Sequence, residues 1–199
     1  DALAVVFDSK TPTFRHERFE EYKAQRPPAP DELKVQFRRV RELVEAFGMP
    51  AFEVEGYEAD DVLGALARQA SDQGLETIIV TGDTDILQLV AEHVQVLVPR
   101  PGRPFSDTIL YGEEAVRSRY GLEPPQIADL KGLKGDPSDN IPGVPGVGEK
   151  TATRLLQQFG SVEGIYEGLE EVAPAKVQET LRTYKEAARQ SKELATIVT

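Results

Sequence analysis

The chain has 199 residues, 40% of them hydrophobic and 29% charged, the profile of a soluble globular protein with room for one core and a small helical appendage. It has no cysteine and only two histidines, His16 and His93, far apart in sequence. That excludes disulfides and thiolate metal sites, leaving oxygen as the ligand for any metal and favouring Mg²⁺ or Mn²⁺ over zinc. No apolar run reaches the length of a membrane span and no segment reads as a signal peptide. The net charge of −11, taken alone, argues against a nucleic-acid partner unless the bases are segregated from clustered acids.

In chain order, residues 2–7 form an apolar, β-branched run that predicts a buried strand ending at Asp8. A strand pattern that begins within two residues, with no initiator Met, leads us to expect an N-terminally truncated domain. Residues 13–30 lack a clean period but carry Phe14, Arg15, Phe19, Tyr22, Lys23 and Arg26 before the break at "PPAP". Asp31 is the expected N-cap of a helix whose apolar positions Leu33, Phe37, Val40, Val44 and Phe47 recur at helical spacing up to Gly48. "AFEVEG" reads as a short strand. A helical face follows from Ala59, then a buried strand in "ETIIVTGDTD" ending at Asp83 and Asp85, then another in "VQVLVP". This alternation predicts an α/β fold with a mainly parallel sheet and crossover helices. Beyond residue 111 the texture becomes helical. We therefore expect an α/β core over 1–110 and a helical subdomain over 111–199.

The acids are distributed in a telling way. Ligands of open parallel sheets bind beyond the C-terminal strand ends. Asp8, Asp83 and Asp85 end strands, while Glu58, Asp60 and Asp61 in "EGYEADDVL" open a helix. Glu58 and Asp61, three apart, share a face, with Asp60 to the side. Asp136 and Asp139 lie in "GDPSDN", a loop able to fold onto the same rim. Helix-dipole complementarity accounts for the first cluster alone, and turn formation for the other two. Together, such carboxylates cannot stay ionised without cations. Two Mg²⁺ or Mn²⁺ ions serving an in-line phosphoryl displacement are the expected occupants.

"GVPGVGEKTATRLL" imitates a phosphate-binding P-loop, but Glu149 separates Gly148 from Lys150-Thr151 and no strand leads into it. A helix–hairpin–helix type element over 143–160 fits better. There Gly143, Gly146 and Gly148 permit close backbone approach, and Lys150 and Thr151 flank free N–H groups that bind phosphate without reading sequence. A plain Gly-rich helix–helix turn is the bland alternative. Arg15, Lys23 and Arg26 are candidate phosphate contacts, with Tyr22 or Phe14 stacking on an unpaired base.

Four ordered segments, "VVFDSKTPTFRHERFEEYKAQR", "GYEADDVLGALA", "TGDTDILQL" and "GDPSDNIPGVPGVGEKTATRLL", resemble the 5′-nuclease domain of bacterial DNA polymerase I, of the flap-endonuclease superfamily. The resemblance covers essentially the whole chain. It implies a PIN-like, resolvase-like 5′-nuclease fold and a Mg²⁺-dependent 5′→3′ exonuclease and flap endonuclease for primer removal and repair. By position it implies metal ligation by Asp8, Glu58, Asp60, Asp61, Asp83, Asp85, Asp136 and Asp139. Lys23 and Arg26 would grip the scissile phosphate and the threaded 5′ strand, and the 143–150 hairpin would hold duplex, with a K⁺ ion there. It further implies a cytoplasmic bacterial monomer fused to a polymerase. The family's domain opens with a strand ending in Asp and a helix with a basic residue, both ahead of the first residue here. The alternatives are a catalytically incomplete fragment that only binds branched DNA, and a Mg²⁺-dependent hydrolase of small phosphoesters.

Overall fold

The computed structural model describes residues 2–100, 102–104 and 106–199. Two small sheets form. Strand β1 (Val5–Val6) pairs in parallel with β2 (Ala51–Phe52). Strand β3 (Thr77–Val80) pairs in parallel with β4 (Val94–Pro99), which pairs antiparallel with β5 (Thr108–Tyr111). No ladder joins the two sheets among the described residues. The pairing is mainly parallel, as expected, but it is divided between two sheets, one of them mixed. β5 is the strand not anticipated, because four residues after a Gly/Pro-rich turn carry too little periodic signal.

Strand β3 is also not buried on both faces. Ile79 is buried, whereas Ile78 and Val80 are 57% and 55% exposed. Helix α1 (Phe14–Arg18) is a single turn and a half, and α2 (Asp31–Ala46) follows "PPAP". Pro30, not Asp31, is its N-cap. Asp31 lies inside the first turn, where a carboxylate faces the positive end of the helix dipole. The apolar stripe of α2 is largely uncovered among the described residues: only Val44 is buried, and Phe37 and Leu43 are 52% and 55% exposed.

Helix α3 (Ala59–Asp72) packs its Val62 and Ala67 inward. Around β4, Val94, Val96, Val98 and Ile79 meet Ile86, Leu87, Tyr111 and Val116 in one core. The remaining helices are α4 (Glu113–Tyr120), α5 (Gln126–Lys134), α6 (Glu149–Phe159), α7 (Val162–Glu167), α8 (Ala175–Thr183) and α9 (Lys185–Ala195). Leu130, Leu133, Leu155, Leu156, Ile165 and Leu181 form their shared core. Helix α5 is buried nearly all round, and a Cβ on its Gly132 would lie 2.8 Å from Lys192 Cβ of α9, so glycine sets how closely these helices approach. No described helix is long and apolar enough to cross a membrane.

Candidate active site

The acids reach one rim by local means. Asp8, just past β1, accepts the backbone N–H of Ala59 at 2.8 Å and so caps the first turn of α3. That holds Glu58 and Asp60 beside it. After β3 the chain makes an Asx turn, with Asp83 Oδ1 accepting the N–H of Asp85 at 2.9 Å, and enters the 3₁₀ turn Asp85–Leu89. The "GDPSDN" loop closes on itself through a bridge between Asp136 and Ile141. Among the described residues Asp85, Asp136 and Asp139 each offer an oxygen within 4.8 Å of the others.

A basic turn ties this loop to α3. The Lys23 ammonium lies 2.7 Å from Glu58 Oε1 and 3.8 Å from Asp139. The Tyr22 hydroxyl donates to Glu58 at 3.0 Å and to Asp139 at 3.2 Å. The Arg26 guanidinium also pairs with Asp139. Lys23 holds a left-handed backbone, φ 54°, and its N–H donates to the Asp139 carbonyl at 3.0 Å. A non-glycine residue in that region is strained and persists only where its surroundings hold it there.

The electrostatics are those of carboxylates short of counter-charge. Burial, then the charges of Asp83, Asp85 and Glu58, push the Asp60 carboxyl up to about 7. Burial also raises Asp85, with Asp83 adding to it and Lys131 opposing, to about 6. Asp136 would rise on burial too, but hydrogen bonds from Lys131 and Ser138 hold it down at about 2. The Lys131 ammonium lies between Asp85 and Asp136, in contact with both. Hard oxygen donors, no nitrogen or sulfur ligand, and carboxyls driven toward protonation suit divalent cations such as Mg²⁺. Asp85, Asp136 and Asp139 form such a donor group, and Asp83, Asp85 and Glu58 are the acids whose charges reach Asp60. Lys131 escaped the sequence reading. The available signal was a pair of lysines, Lys131 and Lys134, in "IADLKGLKG", on a helix buried almost everywhere else.

Four expectations need correction. Asp61 is only 3% exposed, and its oxygens are committed to Arg15 at 2.7 and 2.8 Å and to the backbone N–H groups of Glu58 and Val198 at 3.0 Å. It is not free to take a metal. Arg15 is 2% exposed and cannot meet a DNA phosphate. Tyr22 is likewise 2% exposed and spends its hydroxyl on the two acids, so no base can stack on it. Gly143 is buried, with its N–H given to Ser191 Oγ at 3.0 Å, and a Cβ there would sit 2.1 Å from Gly135 N. Its glycine serves loop packing. By contrast Gly146, Gly148 and Lys150 are exposed and Thr151 is half-buried at the start of α6. Removing one partner from a buried bidentate pair strands the other charge, so Asp61→Ala should cost about 3–5 kcal/mol of stability. Denaturant unfolding should show Asp83→Ala, at an exposed site, costing far less.

A family model described as the 5′-3′ exonuclease N-terminal resolvase-like domain matches residues 1–121, and one described as the 5′-3′ exonuclease C-terminal SAM fold matches residues 122–199. The chain belongs to the 5′-3′ exonuclease family. Within it, 51% identity links this exonuclease chain to DNA polymerase I of Bacillus caldotenax over 98% of the chain and 22% of the relative. DNA polymerase I of Chloroflexus aurantiacus is 53% identical over the whole chain and 21% of its own length. The chain thus spans about a fifth of these relatives. The T5 D15 protein co-crystallised with metal ions shares the fold at TM-score 0.82 and 24% identity, over 98% of this chain and 75% of that one. A T5 D15 flap endonuclease complex with DNA and metal ions superposes at 0.79, with 23% identity, over 98% of this chain and 73% of that one.

Proposed function

We propose that this exonuclease domain cleaves DNA at 5′ ends and 5′ flaps using two Mg²⁺ or Mn²⁺ ions, as the nuclease part of a DNA polymerase I. The observation that carries this is the meeting of carboxylates from separate elements beside two cations, Lys23 and Arg26, whose acidic partners among the described residues are Glu58 and Asp139. When bound, the ions would stabilise the attacking and leaving oxygens of an in-line displacement at phosphorus. Asp8, Glu58 and Asp60 would hold one side of the ion pair and Asp83, Asp85, Asp136 and Asp139 the other. With those acids so engaged, Lys23 and Arg26 turn to the scissile phosphate, orienting it and countering the charge that builds on its oxygens.

The catalytic core of this reading is residues 1–110, and the grip on duplex lies in 111–199. The first turn of α6, with Gly146 and Gly148 ahead of it, offers backbone N–H groups to one phosphate. Lys150 adds one charge. Replacing Lys150 with Ala should therefore lower the slope of log K against log salt by about one for every DNA sequence alike. An unchanged slope would return the loop to a structural role.

The function is tested with three assays side by side: a 5′-flap duplex in Mg²⁺, the same duplex in Ca²⁺, and a small phosphodiester in Mg²⁺. Cleavage of the flap alone, with binding retained in Ca²⁺, is expected. Turnover of the small diester without flap cleavage would refute it.

A further inference from the structure

The two groups of carboxylates stand on elements that no ladder connects among the described residues. Glu58 and Asp60 open α3, whose Ala67 shares a core with Ile79, Ile86 and Leu87, and Asp83 and Asp85 follow β3. Acids that repel one another need something firm between them. The last turn of α9 and the residues that follow it are bonded to both sides. On the α3 side, Arg15 donates Nε to the Leu194 carbonyl at 2.9 Å and a terminal nitrogen to the Thr196 carbonyl at 2.7 Å. The same guanidinium holds Asp61, which also accepts the Val198 N–H at 3.0 Å. On the other side, Gln88 donates to the Ala195 carbonyl and to the Asp85 carbonyl, both at 3.0 Å, and accepts the Ile197 N–H at 2.9 Å. A Cβ on Gly64 of α3 would lie 3.0 Å from side-chain carbons of Ile197 and Thr199, so the segment lies directly against the helix.

We propose that residues 194–198 form a strap that sets the spacing between the two carboxylate groups, and that Arg15 and Gln88 are positioning residues for the metal centre. The alternating attachment supports this. Carbonyls 194 and 196 and the N–H of 198 go to the Arg15–Asp61 pair, whereas carbonyl 195 and the N–H of 197 go to Gln88. Leu194 and Ala195 close α9 and Thr196 turns extended, so the helix end and the chain leaving it offer backbone groups to both partners at once. Neither Arg15 nor Gln88 need touch an ion to act. Each fixes the element that carries the ligands, as outer partners of metal sites do.

The inference rests on the metal centre proposed above, and the test separates the two. Mn²⁺ binding to the full chain is followed by calorimetry, and the spacing of bound ions by their dipolar broadening in electron paramagnetic resonance. Gln88→Leu keeps the volume of the side chain and removes its three bonds to backbone. We expect flap affinity in Ca²⁺ within a few-fold of the parent, melting within a few degrees, Mn²⁺ affinity down about tenfold or more, and the dipolar signal weakened. Arg15→Lys, which keeps the charge but loses the fork, should show the same pattern. Parental Mn²⁺ affinity and spacing in either folded variant would overturn the strap. So would unfolding of both, since the segment would then hold the fold and not the spacing. If the parent itself failed to bind two ions, the metal centre, not the strap alone, would fall.

Discussion

Asp60→Asn should stabilise the metal-free protein at about pH 8 while slowing flap cleavage by about a thousandfold or more. Burial and three neighbouring acids raise the Asp60 carboxyl to about 7, against about 3.9 in an unfolded chain. Between those values the folded state holds a proton that the unfolded state has released. As pH rises through that window, ionising Asp60 therefore costs folded stability, and the cost is complete above about 7. Asparagine removes it. Melting temperatures without metal should favour the variant near pH 8 and converge near pH 4. Adding Mg²⁺ should raise the parent's melting point at the higher pH by mass action and leave the variant almost unmoved. A variant less stable than the parent at pH 8 without metal would show that Asp60 is not held against its neighbours' repulsion.

The second large effect is expected at Lys23. Its ammonium bridges Glu58 and Asp139, and its backbone takes φ 54°. Lys23→Ala removes the cation and keeps a Cβ in a region that disfavours one. Lys23→Gly removes both. Single-turnover cleavage at saturating enzyme should fall by about 10²–10³-fold in both variants, whereas thermal unfolding should find the glycine variant the more stable. Equal stability would mean the backbone is not strained there. Near-parental rates would mean the ammonium does not serve the phosphate.

The parts of the site that the sequence made legible are those whose chemistry is local. Asp8, Asp83 and Asp85 follow apolar β-branched runs, and "GDPSDN" is turn chemistry, so both the acids and their placement at element ends could be read. The helix starts at 59 and 149 followed from Glu-rich and Gly-rich approaches in the same way. What could not be read depends on partners distant in sequence. Glu58 and Asp61 do share a helix face, as spacing requires. That face turns inward, because Asp61 at the third helical position reaches back to the Glu58 N–H and meets Arg15, 46 residues earlier. Asp60, placed to the side by spacing, is the one left among the other acids. The split into two sheets was equally hidden, since periodicity says which residues alternate but not which strands pair. The apolar stripe of α2 shows the limit most plainly. Its spacing made the helix predictable, yet Phe37 and Leu43 remain exposed, because amphipathicity does not name what a face packs against.

On the proposed mechanism, the separated acids form one centre for two divalent ions that drives flap cleavage. Its most direct test is the single-turnover rate on a 5′-flap duplex as Mg²⁺ is titrated at fixed ionic strength. The rate should be zero with chelator, rise with the square of Mg²⁺ at low concentration, and become first-order in Asp85→Asn, where one ion's ligand set is damaged. Cleavage that persists in chelator, or a first-order rise in the parent, would contradict it.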